Sequence, residues 1–406
     1  MKRLRYLCAL FVCTASYAQE LDEAPFRQLY EERRWFDLRD AVEARDAPTF
    51  YRAAIASALN RPDEAERLYE QTIRESSDVA TVNAAREALG PLYLRHGRIA
   101  DLLRLADDVL AATPDRADVK GLRDMLAGAG AANQQTVSTR RASFECTTGA
   151  AGVHLPLTVN GRRVTWLLDL GLNLSVLSES EAAMFSFDVP DTRGAVIDGA
   201  GGSTSARSAR ANRMTIGATE LRDVAMGVLP DDNPAWSDAE PGRRGIIGLP
   251  VALALENIHW TSDGMCETGP VPSRSSAAEG DLVFGESSAL VRAFVENRSL
   301  IFALDTGNVA ETQLWPQFAA DFPDVVAQGT RDRVRLNQFG GSVDHDVMVL
   351  PEVNLEVAGF DVVLRPAKVF SAPVGAPHVH GNLGMDLLSR PSDVEIDFRS
   401  MTITLR

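Results

Sequence analysis

From residue 21 to about 127, apolar positions recur at helical spacing, as at Leu89, Leu92 and Tyr93, and strand-like alternation is nearly absent. Two stretches align within this region, "LNRPDEAERLYEQTI" from Leu59 and "LRHGRIADLLRLADDVL" from Leu94. Leu59 falls on Leu94 and Ala65 on Ala100, a shift of 35 residues, and a turn with Pro62 or Gly97 precedes each second helix. An all-α, repeat-like domain is expected over 19–127. Residues 128–143, small and polar, read as a linker.

Beyond the linker the period changes to two. "VHLPLTVNG", "RVTWLLD", "NRMTIGATEL" and "DVAMGVL" alternate apolar and polar residues between Gly, Asn and Asp, as strands and hairpins do. A second linker is expected over 268–281. The strand texture then resumes in "LIFALD", "RVRLNQFG", "VNLEVAGFDVVL", "DVEIDF" and "MTITLR". The predicted fold is therefore multidomain: helices, then an all-β part with one lobe over 144–267 and another over 282–406.

The two β blocks are copies. Asp169 lies 79 residues before Gly248 of "GIIGLP", and Asp305 lies 79 before Gly384 of "GNLGMD". Between these points each block has a glycine pair, Gly201-Gly202 or Gly340-Gly341, and then a strand pair. Four features in one order and nearly one spacing imply an internal duplication.

Each copy ends a bulky apolar strand in Asp-x-Gly: Asp169-Leu170-Gly171 and Asp305-Thr306-Gly307. Glycine there is expected to supply backbone freedom at a tight turn. A pseudo-two-fold axis would bring the two carboxylates face to face. Two close carboxylates share one proton, so one can deprotonate a water while the other protonates a carbonyl. That is hydrolytic chemistry without a covalent intermediate.

These motifs resemble the retropepsin-like and pepsin-like aspartic proteases in their two-lobed, single-chain form, over about residues 144 to 406. "LLDLGLNLSVLS" is close to the family's apolar-Asp-Thr-Gly pattern, with Ser175 and Val176 in place, whereas "FALDTGNVAET" keeps the triplet and then departs. "IIGLP" and "NLGMD" resemble the element that braces each active-site loop. The resemblance implies an aspartic-type endopeptidase with catalytic Asp169 and Asp305, a peptide or protein substrate and no cofactor or metal. It implies candidate flaps at Gly201-Gly202 and Gly340-Gly341. The family's flap tyrosine is missing, since no Tyr follows Tyr93, which tilts the resemblance toward retropepsins. It also implies that the triplet Thr bonds the opposite loop. Thr306 can do so. Leu170 cannot, and is expected to pack on apolar residues instead. The alternative function is a weak or inactive peptide-binding pseudoprotease. The 35-residue shift in the helices resembles tetratricopeptide pairs, which implies a protein partner for that domain.

Composition changes this picture at three points. Lys2, Arg3 and Arg5, the apolar run "YLCALFVC" and small Ser16 and Ala18 form a cleavable leader over 1–18. The protein is thus expected to be exported, periplasmic or secreted, with no membrane span after cleavage. The formal charge is −15, and −18 once those three cations leave, which disfavours nucleic acid as a partner. Cys8 and Cys13 leave with the leader, so Cys146 and Cys266 remain as an even pair in an oxidising compartment. The family's lobe brings its terminal strands together, which makes Cys146–Cys266 a disulfide candidate. Among other features, "PHVHG" sets His378 and His380 on one strand face without a third metal ligand. "GAGG" at 199–202 has no helix after it and is not a phosphate loop.

Overall fold

A computed structural model describes residues 23–197, 203–237, 239–272, 280–286, 288–338, 340–372 and 379–406. The leader, Gly201, Gly202 and His378 lie outside the described residues.

Seven helices come first: Ala24–Glu31, Trp35–Ala44, Thr49–Ala58, Pro62–Glu75, Val79–Arg95, Ile99–Ala112 and Ala117–Ala127. Each packs on the next. Three of their connections share one closure. Arg33, Asn60 and Gly97 have φ of 56°, 55° and 64°. Their N–H groups bond to Tyr30, Ser57 and Leu94, and the following Arg34, Arg61 and Arg98 bond to Leu29, Ala56 and Tyr93. This is the Schellman pattern of a helix end. The intervals 33 to 60 and 60 to 97 are unequal, which corrects the shift of 35. Alignment on Leu and Ala follows a helical face anywhere along a helix, whereas turn chemistry marks its end.

The all-β part has two lobes with matching element order. In each, a hairpin leads to the Asp-x-Gly loop: His154–Val159 with Arg162–Leu168, and Ser288–Val295 with Arg298–Leu304. The hairpin turns carry Asn160-Gly161 and Glu296-Asn297, all at positive φ, as two-residue hairpins require. Ser203–Ile216 and Thr219–Leu229 are long paired strands in lobe 1. In lobe 2 the corresponding stretch is broken into Gly341–Leu350, Val353–Val357, Phe360–Leu364 and Ala367–Phe370.

Two expectations change. Residues 128–143 are not simply a linker, because Gln135–Ser138 pairs as an edge strand with Thr219–Leu229 and Ala142–Glu145 pairs with Met265–Thr268. The lobes also share a sheet. Its order is Ala142–Glu145, Met265–Thr268, Asn257–Thr261, Asp393–Asp397, Thr402–Leu405, so three strands come from the first half and two from the second. One apolar core runs through it, from Trp166 and Leu170 to Leu383 and Phe398. This continuity keeps the two Asp loops in fixed relation.

The helices dock on both lobes. Arg95 is 1% exposed. It donates to Ser57 O, Ser57 Oγ and Glu286 O at 2.6–2.7 Å and lies over the Phe284 ring. Burial without an anionic partner brings its pKa down to about 10. Asn60 Nδ2 donates to Phe398 O in lobe 2, and Gln134 Nε2 to Pro250 O in lobe 1. Helix Ala117–Ala127 packs on Gly194–Ile197 and Ser203–Ile216.

Cys146 and Cys266 form a disulfide across the shared sheet, closing 120 residues with Cα atoms 5.8 Å apart. The loop length sets its contribution at roughly 4–5 kcal/mol at most. The Cys146→Ser/Cys266→Ser double variant is expected to lose about 2–5 kcal/mol in denaturant titration. A loss below about 1 kcal/mol would show that the sheet holds without it.

Candidate active site

Each lobe positions its aspartate at the C-terminal end of a buried strand. The Asp169 N–H bonds to Ile247 O at 2.9 Å and the Asp305 N–H to Leu383 O at 3.1 Å, so each loop is pinned to its bracing strand. Leu249 N–H reaches Leu172 O, and Met385 N–H reaches Asn308 O, both at 2.8 Å. A Cβ on Gly248 would lie 2.8 Å from Leu172 O, and one on Gly384 would lie 2.9 Å from Asn308 O. Glycine at the brace therefore allows close backbone contact.

A hydroxyl ties each brace further. Gly248 N–H donates to Ser175 Oγ at 3.0 Å, and Gly384 N–H to Thr312 Oγ1 at 3.1 Å. Thr312 also donates to Asp386 Oδ1. Ser175 lies six residues after Asp169 and Thr312 seven after Asp305. The second loop therefore does not depart from the pattern so much as carry one more residue. Sequence reading missed Thr312 for that reason.

The structure brings Asp169 and Asp305 together. The triplet glycines explain how, and not by backbone freedom, since neither Gly171 nor Gly307 has a left-handed φ. A Cβ on Gly171 would stand 2.8 Å from Asp305 Cγ, and one on Gly307 would overlap Asp169 Oδ2. Each glycine thus leaves room for the opposite carboxylate.

The two carboxylates have unlike surroundings. Asp169 is 9% exposed, and its Oδ1 accepts from Gly171 N–H at 2.8 Å. Burial, and next the charge of Asp305, hold its proton well above the usual carboxylate range. Asp305 Oδ1 accepts from Gly307 and Asn308 N–H, both at 3.0 Å, and its Oδ2 accepts from Asn382 Nδ2 at 2.8 Å. Asn382 was not singled out in the sequence. The available signal was a polar residue in "GNLGMD" where the first copy has Ile246.

Only half of the cross-loop bonding pair is present. Thr306 Oγ1 accepts from Leu170 N–H at 3.0 Å and donates to Leu168 O at 2.7 Å. Leu170 is fully buried in the core and has no hydroxyl to return the bond.

Gly340 and Gly341 stand at the tip of the lobe 2 hairpin, where Gln338 pairs with Gly341. Its first strand, Thr330–Gln338, packs on the turn Pro234–Trp236 of lobe 1 and so crosses between lobes. The matching lobe 1 hairpin closes from Ile197 to Ser203. His380 is structural: its Nδ1 accepts from Ile301 N–H at 3.0 Å, which leaves Nε2–H to donate to Asp321 Oδ2 at 3.0 Å. Among the described residues no group of three or more His, Cys, Asp or Glu could hold a metal ion.

Fold and site together define a two-lobed β-protein with paired Asp-x-Gly loops and a helical N-terminal region. Residues 155–251 match the family described as aspartyl protease. That match ends before Asp305, which joins the first triplet only through the tertiary structure. Among solved structures, the chain is similar to a retropepsin-like aspartic protease from Rickettsia conorii, at 15% identity and a TM-score of 0.24, covering 32% of this chain and 93% of that one. No curated protein matches the chain.

Proposed function

We propose that the protein is an aspartic-type endopeptidase whose catalytic pair is Asp169 and Asp305. The observation that carries this reading is the juxtaposition of two carboxylates from opposite lobes, each set over the other's glycine. One ionised and one protonated carboxyl can divide the work of hydrolysis. Water oxygen attacks the peptide carbonyl carbon while its proton passes to the ionised carboxylate. The protonated carboxyl gives its proton to the carbonyl oxygen, forming a gem-diol. On collapse the C–N bond breaks, the nitrogen takes the proton from the first carboxyl, and a diol proton returns to the second. The products are one carboxylic acid and one amine, and the dyad is restored.

The helical region, docked on both lobes, is proposed to recruit or orient a protein substrate. Cys146–Cys266 supports export to an oxidising compartment. A second reading rests on Leu170, which removes one of two cross-loop hydroxyls. In that reading the cleft binds peptides without cleaving them. The deciding experiment incubates the mature protein with a peptide library from pH 3 to 8, with and without a statine-type transition-state mimic. Cleavage that the mimic blocks is expected. Peptide binding without cleavage at any pH would overturn the peptidase reading in favour of the second.

A further inference from the structure

The bracing strands of the two lobes hold the same place beside their aspartates. Ile246 pairs with Leu167 in lobe 1, and Asn382 pairs with Ala303 in lobe 2, both in parallel register. The copies therefore differ by an amide against a branched alkyl group, next to a small neighbour against a large one. Ala303 leaves space for Asn382 to turn toward the loop, and its Nδ2 meets Asp305 Oδ2 at 2.8 Å. No equivalent donor exists at Ile246. The oxygen of the amide, Asn382 Oδ1, is buried without a protein partner. Nothing on that side favours the flipped orientation, so the amide's contact with Asp305 decides which way it points.

We propose that Asn382 makes the dyad unequal before substrate arrives: its amide holds Asp305 as the base that takes the proton from water and leaves the shared proton on Asp169, the acid that serves the carbonyl. This rests on the peptidase reading and deepens it. The physical ground is a count of donors. Asp305 receives three N–H groups, from Gly307, Asn308 and Asn382, and hydrogen bonds to an anion are stronger than those to a neutral acid. Asn382 is a positioning residue, because it acts through Asp305.

Other ionisable groups around the Asp305 loop do not supply this bias. Asp169 faces it across the dyad and is the partner in question. Glu311 is ion-paired with Lys368 at 2.7 Å. Asp386, on the helix that follows the brace, accepts from Thr312 N–H and Oγ1. His154 lies beside Gly152, which abuts Val309 of the loop, and burial lowers the pKa of its imidazole; it makes no hydrogen bond to Asp305.

The consequence appears on one limb of the pH profile only. Asn382 stabilises ionised Asp305 both when Asp169 is protonated and when it is not. Its removal therefore raises the lower macroscopic pKa of the dyad and leaves the upper one nearly unchanged. A bond to a charged group corresponds to a shift of roughly 1–2 pH units. The test compares Asn382→Val with the isosteric Asn382→Thr, which differ only in a hydroxyl donor. Both suit a strand, and lobe 1 already carries Ile at this place.

Two readouts are needed. One is the kcat/KM profile against pH. The other is a ¹³C-NMR titration of carboxyl-labelled Asp in the full mature chain, which follows the dyad without any turnover. The Val variant is expected to lose activity on the acid side, with its lower dyad pKa raised by about 1–2 units. Thr is expected to keep most of the native position. Equal shifts in Val and Thr, or no shift in either, would overturn the role of the amide. If the wild-type chain cleaves nothing, the peptidase reading fails on its own, while the NMR titration still decides where the proton resides.

Discussion

Asp305→Asn and Asp169→Asn should each reduce peptide hydrolysis at least about 1,000-fold, the scale on which positioned acid–base catalysis operates. Either change breaks the single proton-sharing unit, and a paired group that works as one fails as one. Stability should separate the two variants. Asparagine at 169 can keep its oxygen on Gly171 N–H and present its NH₂ to Asp305, imitating the protonated acid. At 305 the amide can keep its oxygen on the N–H groups of Gly307 and Asn308 and donate its NH₂ to Asn382 Oδ1 once that side chain turns over, but this variant still carries the buried carboxyl of Asp169. Burial, and next the charge of Asp305, raise the folded pKa of the Asp169 carboxyl well above the usual carboxylate range. The folded state thus holds a proton that the unfolded state gives up as pH rises past about 4, and stability falls with pH through that window. Asp169→Asn removes this loss. Its melting temperature should exceed that of wild type near pH 7 and approach it near pH 3, whereas Asp305→Asn should melt lower than Asp169→Asn at neutral pH. Full activity in either variant would sink the dyad mechanism, and a Tm difference independent of pH would sink the account of Asp169.

Thr306→Val should cost about 2–6 kcal/mol although it keeps the shape of the side chain. The hydroxyl serves two buried groups of the opposite loop, Leu170 N–H and Leu168 O, and the variant leaves both without a partner. Each buried orphan costs roughly 1–3 kcal/mol. Because Leu170 returns no bond, no second hydroxyl compensates. Hydrolysis should fall about 10–100-fold as the loops lose their mutual placement. Thr306→Ser, which retains both bonds, should lose much less. Leu170→Thr has opposing terms: a hydrogen bond gained, worth about 1 kcal/mol, against a buried leucine lost, worth about 1.5–3 kcal/mol. It should fold, melt slightly lower and keep activity within a few-fold. Urea titrations and cleavage rates for the three variants check the set. A Thr306→Val protein as stable as wild type would mean that the half-pair contributes nothing.

The copied blocks, the two Asp-x-Gly triplets and their equal spacing to Gly248 and Gly384 were legible in the chain, because turns and alternating strands depend on near neighbours. The helical texture of the first region was legible for the same reason. Several features depended on pairing between distant segments. Gln135–Ser138 reads as small and polar, and becomes a strand because the edge of Thr219–Leu229 accepts it. Thr312 performs the work of Ser175 after a one-residue insertion that defeats alignment by spacing. Asn382 lies 77 residues from Asp305 and reaches it only through the parallel pairing of Arg298–Leu304 with Gly381–Leu383. Even the triplet glycines changed meaning: the sequence suggested freedom of the backbone, and the space they leave belongs to a carboxylate from the other lobe. The chain by itself thus determined that two carboxylates would be placed alike. Only the tertiary structure decided that they would differ, since their proton affinities depend on burial and on donors brought from elsewhere in the chain.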